Sequence, residues 1–108
     1  MKPVTFLGDS LDAVRSFPSG ARREAGFQID RVQRGLNPDH WKPMTTIGPG
    51  VREIRVSDTS GAFRVIYVAT FVEAIYVLHA FDKKRQTTSR RDLSIAAARH
   101  SELLRSRQ

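Results

Sequence analysis

The sequence predicts an α+β fold, with two N-terminal helices packed on a small antiparallel sheet and a basic helix at the C-terminal end. Three observations carry this prediction. Apolar residues recur at helical spacing across the first third of the chain. Three apolar, β-rich runs follow between Val51 and Phe81, separated by turn residues. A final segment then opens on Ser89 and keeps a helical stripe through strongly basic sequence.

Each element has its own signal. Pro3 to Leu7 is expected as a short first strand. Asp9 or Ser10 caps a short helix carrying Leu11, Val14 and Phe17, and Phe17-Pro18 breaks it. Ser19 caps a longer helix with Ala25, Ile29, Val32 and Leu36 on one stripe, ended by Gly35 and Asn37-Pro38. Residues 37–50 form a turn-rich connector that Trp41 and Met44 are expected to pin to the body. Val51 to Val56 alternates, with Arg52, Ile54 and Val56 on one face and Glu53 and Arg55 on the other. Asp58 to Gly61 is a turn. Ala62 to Val68 and Ala74 to Phe81 are the next strands, joined through Thr70 to Glu73. Alternation separates Arg64 and Ile66 from Phe63, Val65 and Tyr67. If the second set faces the helices, Arg64 looks onto the opposite face, left partly open, beside Arg55. Ser89 caps the last helix with Asp92 as its capping-box partner, and the expected stripe is Leu93, Ala96, Ala97, His100 and Leu104.

Length and composition narrow the function classes. At 108 residues the chain is expected to form one domain, residues 1–108, around one core. It has no cysteine, so thiolate chemistry and disulfides are excluded. No apolar run approaches the roughly 18 residues of a membrane span, and the start lacks a signal-peptide core, so a cytoplasmic protein is expected. The net charge is +7, and residues 83–108 alone hold eight Lys/Arg against Asp92 and Glu102. Positive charge concentrated in this way calls for a polyanionic partner.

The connector and second strand read WKPMTTIGPGVREIRV, and the next strands read FRVIYV and AIYVLHAFDKKRQTT. Together they resemble the phage-derived HigB branch of the RelE/ParE toxin superfamily across residues 36–100. The run from Leu78 to Thr87 and the basic helix behind it carry most of the resemblance. It implies a RelE-like fold and a type II toxin that enters the ribosome and cleaves mRNA without a metal or other cofactor. A cognate helix-turn-helix, HigA-like antitoxin is the implied protein partner. Carried over by position, Arg64 matches the arginine of the third strand, and Lys83 and Lys84 match the basic pair after the last strand. Arg55 and Lys42 are further matches. The tyrosine usual after the last strand is missing, since Gln86, Thr87, Thr88 and Ser89 stand there.

The chemistry of that reaction suits these side chains. The ribose 2′-hydroxyl attacks its own 3′-phosphate, and preorganised cations stabilise the charge gained in the transition state. Arg64 brings a planar fork that clamps two phosphate oxygens. A lysine crowded by other cations loses its proton more readily, which makes Lys83 or Lys84 a candidate acid or base, with His79 as the other. Arg85, Arg90 and Arg91 extend the expected RNA-binding surface.

Plainer readings stand beside these. Arg64 forms a structural ion pair with Glu53, or it serves a phosphate. His79 is a core histidine, or it transfers a proton. The aromatics Phe63, Tyr67 and Tyr76 are packing residues. Two further functions also fit a basic chain of this kind. One is a gyrase inhibitor like the ParE branch, and the other is a non-catalytic RNA-binding protein.

Overall fold

The computed structural model describes residues 1–107 as a mixed α+β fold with a five-stranded sheet and three helices. The elements are β1 (Val4–Phe6), α1 (Ser10–Arg15), α2 (Ser19–Gln33), β2 (Trp41–Pro43), β3 (Val51–Asp58), β4 (Gly61–Val68), β5 (Ile75–Lys83) and α3 (Arg90–Ser106). The spatial strand order is β1-β5-β4-β3-β2. The central meander β3-β4-β5 is antiparallel, as alternation predicted.

The edges correct the expectation. β1, the short strand expected at Pro3 to Leu7, precedes both helices and pairs parallel with β5, so the sheet is mixed rather than antiparallel and the helices do not open the fold. β2 adds a second edge inside the connector, with Trp41 opposite Ile54 and Lys42 opposite Glu53. At three residues each, neither edge strand is long enough to show a period of two.

Both faces of the sheet are covered. On one face, Val14 and Phe17 and the α2 residues Ala21, Ala25, Ile29 and Val32 meet Ile54, Val56, Phe63, Val65, Tyr67 and Val77. On the other, α3 lays Ala96 and Leu103 against Val51, Ile66, Val68 and Leu78. The face expected to be partly open is therefore closed along most of its length. The buried α3 stripe ends in Leu103, while Leu104 is exposed, because a 3.6-residue period carried on from Ala96 and His100 reaches position 103. Leu36 is also exposed, since α2 has already ended at Gln33. The α3 cap is as expected, with Ser89 Oγ accepting from the Asp92 amide at 3.1 Å. His100 packs on the connector, where a Cβ at Gly48 would sit 2.3 Å from its Cε1.

One irregularity matters for everything downstream. Ile66 pairs with His79 and Tyr67 pairs with Val77, so Leu78 is an extra residue in β5. Such a bulge lets two consecutive side chains share a face. Leu78 joins the α3 side and His79, opposite Ile66, stays there too. The Leu78 carbonyl accepts from Arg99 Nη1 at 2.9 Å, and Arg99 Nη2 reaches Asp9 at 2.9 Å, which ties α3 to the sheet.

A basic cleft at the end of the sheet

The uncovered part of the α3-side face lies where β3 turns into β4. Register fixes what it displays. Arg55 stands opposite Arg64, Lys42 stands opposite Glu53, and Lys83 stands opposite Ala62. All five charged groups occupy one face by alternation. Like charges directly opposite each other in an antiparallel pair are destabilising. Arg55 and Arg64 are such a pair, so something must offset them.

Glu53 offsets part of the cost from below. Its side chain is fully buried, and Oε1 lies 3.5 Å from Arg64 Nε. Its other oxygen accepts from Thr88 Oγ1 at 2.9 Å, which ties the β5–α3 connector to the sheet. Arg64 is itself 6% exposed, and Nη1 donates to the Phe63 carbonyl at 2.9 Å. The Nε–Oε1 approach is an ion pair without hydrogen-bond geometry, and both atoms are otherwise unpartnered. The ion pair with Glu53 weighed from sequence therefore exists. It does not remove Arg64 from the surface, because Arg64 also lines two adjoining recesses.

Those recesses share Arg55 and Arg64. One, of about 550 Å³, continues along Lys83, Lys84, Arg85 and Gln86. The other, of about 480 Å³, runs toward His40, Glu24 and Ser57. Together they make an open, cation-lined cleft. Burial and the neighbouring charges shift its titration. Burial lowers the Arg64 pKa, Glu53 raises it and Arg55 lowers it further. The Lys83 pKa is lowered, first by desolvation and then by Arg64, with Glu53 opposing and Lys42 and Arg55 adding to the effect. This is the direction expected for a lysine among cations. Cations dominate the lining, a donor set that repels a metal ion and attracts a phosphate chain.

The remaining candidates are distributed differently. Lys84 borders the cleft but is largely exposed, 3.9 Å from Asp82. Arg90 and Arg91 are exposed at the start of α3 and line neither recess. His79 stands apart from the cleft. It is buried, stacked on Phe81 at 5.2 Å, and its Nε2 is 2.7 Å from Asp92 Oδ1. Asp92 Oδ2 in turn accepts from Ser89 Oγ at 2.6 Å, so the histidine is built into the cap of α3. His79 Nδ1 is buried without a partner.

Among the residues of the cleft and its supports, His40 and Thr88 were not identified from sequence. His40 enters because β2 runs alongside β3, where the His40 carbonyl accepts from the Arg55 amide at 2.8 Å. Thr88 enters through its bond to Glu53. Neither has a sequence signal, since both depend on long-range register.

The family model for Phage derived protein Gp49-like (DUF891) matches residues 12–101 of the chain. A search of curated proteins found no match.

Proposed function

The chain belongs to the Gp49-like family of phage-derived proteins, and from that membership and the basic cleft we propose that it is the toxin of a type II toxin–antitoxin system that cleaves mRNA on the ribosome. The family is related to toxin–antitoxin toxins. The observation that carries the reading is the Arg55–Arg64 pair, set side by side across β3 and β4 with Lys83 close by. Such a pair raises the energy of the free protein, and a phosphate bridging both guanidinium groups lowers it again.

In the proposed reaction the 2′-hydroxyl attacks the adjacent phosphorus and gives up its proton. The 5′-oxygen leaves and takes a proton, and a cyclic phosphate remains. Arg55 and Arg64 neutralise the charge gathering on the phosphorane oxygens. Lys83, with its lowered pKa, exchanges a proton with one of the two ribose oxygens. The second recess gives His40 the corresponding place on the other side of Arg55 and Arg64. The protein partner in this reading is an antitoxin that covers the cleft, and the compartment is the cytoplasm.

The test is mRNA cleavage in a translating extract, read by primer extension, with wild-type protein and Arg55→Gln. Discrete cuts in translated message that vanish with Arg55→Gln are the expected result. Intact message together with blocked DNA supercoiling would transfer the protein to the gyrase-inhibitor class and overturn the proposal.

A further inference from the structure

A separate recess, of about 250 Å³, lies at the opposite end of β3 and β4, beside the C-terminal end of α2. Its polar lining includes Lys2, Asn37, Arg52 and Tyr67, and Val32 and Leu36 form an apolar wall. Among the described residues, no aspartate or glutamate lines it. Arg52 is held in place, with Nη1 donating to Asn37 Oδ1 at 3.0 Å and the guanidinium 4.0 Å over the Trp41 ring. Lys2 Nζ donates to the Ala69 and Phe71 carbonyls at 2.8 and 2.7 Å. Each cation has further N–H groups to offer. Tyr67 is the cross-strand partner of Arg52, and its buried hydroxyl has no acceptor for its proton. Burial pushes the pKa of that phenol up, and the neighbouring Arg52 guanidinium opposes the push, first by hydrogen bonding to the phenol oxygen and then by its charge.

We propose that this recess binds a small carboxylate with a short apolar tail. Two cations, a buried hydroxyl lacking an acceptor and no competing carboxylate select an anion. The planar fork of Arg52 matches a carboxylate and is already oriented, so little freedom is lost on binding. Small-molecule sites usually run from about 300 Å³ upward, so the occupant has few atoms. Val32 and Leu36 suit a short aliphatic chain. Such a group arrives as a free short-chain acid or as the C-terminal carboxylate of a peptide ending in an aliphatic residue. The chemistry is the same in both.

Calorimetry and thermal shift on the full chain test this with isovalerate, isovaleramide, and acetyl-Gly-Gly-Leu as free acid and as amide. The acids saturate one site and raise Tm, and the amides do neither. Arg52→Gln weakens binding at least about tenfold, the loss of one charge-assisted hydrogen bond. Tyr67→Phe weakens binding and leaves the unliganded Tm unchanged or raised, because the proton of its buried hydroxyl has no acceptor in the free protein. Tighter binding of the tripeptide assigns the site to a chain terminus, and tighter binding of isovalerate assigns it to a free acid. The proposal is overturned if neither acid saturates, if the amides bind equally, or if Arg52→Gln binds as wild type. It is equally overturned if Tyr67→Phe lowers the unliganded Tm and binds as wild type, which shows that an internal water satisfies the hydroxyl.

Discussion

The α3-side face of the sheet has two halves made by the same three strands. In one, Val51, Ile66, Val68 and Leu78 are sealed under Ala96 and Leu103. In the other, two to five residues further along each strand, Glu53, Arg55, Arg64 and Lys83 stand beyond the reach of the helix. Strand alternation alone does not distinguish them. The difference is cover, because charge survives on a sheet only where solvent or a partner solvates it. Glu53 and Arg64 lie at the border and solve the problem by pairing with each other.

The largest effect comes from breaking that border pair. Arg64→Ala leaves Glu53 buried and uncompensated, which costs about 3–5 kcal/mol in denaturant unfolding. The double replacement Glu53→Leu with Arg64→Met is expected to recover most of that stability while cleavage stays abolished. Recovery of cleavage by the double variant would show that neither charge serves the reaction. On the sealed side, Leu78→Ala removes a buried side chain and costs about 2–5 kcal/mol. Its cleavage rate per folded molecule should match wild type, measured below its lowered Tm.

Arg55→Gln sharpens the contrast from the exposed side. Stability should change by less than about 0.5 kcal/mol, and relief of the like-charge pair favours the variant. Cleavage should fall by about 10²–10³. The smallest effect concerns Lys83. Its folded pKa lies below its unfolded value, so between the two the unfolded chain binds more protons and stability rises with pH. Urea midpoints measured as pH climbs toward the ordinary lysine value should show this rise, and Lys83→Met should remove it.

Sequence and structure agree where signals are local. Ser89 and Asp92 announced the α3 cap, and alternation in β3 and β4 put Glu53, Arg55 and Arg64 on one face. The Arg64–Glu53 pair was visible as an alternative because both residues fall on that face. What escaped was set by distant chain. β2 is too short to carry a period, the parallel pairing of the expected first strand with β5 has no local signal, and His40 and Thr88 reach the cleft only through long-range sheet pairing and a side-chain bond to Glu53. The position of α3 was legible as a helix but not as a cover, so the open face was overestimated.

The Leu78 bulge also changes how β5 should be compared between related chains. By strict alternation from Val77, Lys83 belongs on the α2 side of the sheet, with Asp82 on the other. The extra residue inverts the phase and delivers Lys83 opposite Ala62, on the cleft side. In alignment terms, position 78 is a silent insertion point. Gain or loss of one residue there leaves His79 to Lys83 on the same β4 partners, whereas a one-residue change at Val65 would turn half of β4 over. Relatives with a gap opposite Leu78 are therefore expected to keep the same basic array, and relatives with a gap inside β4 are not.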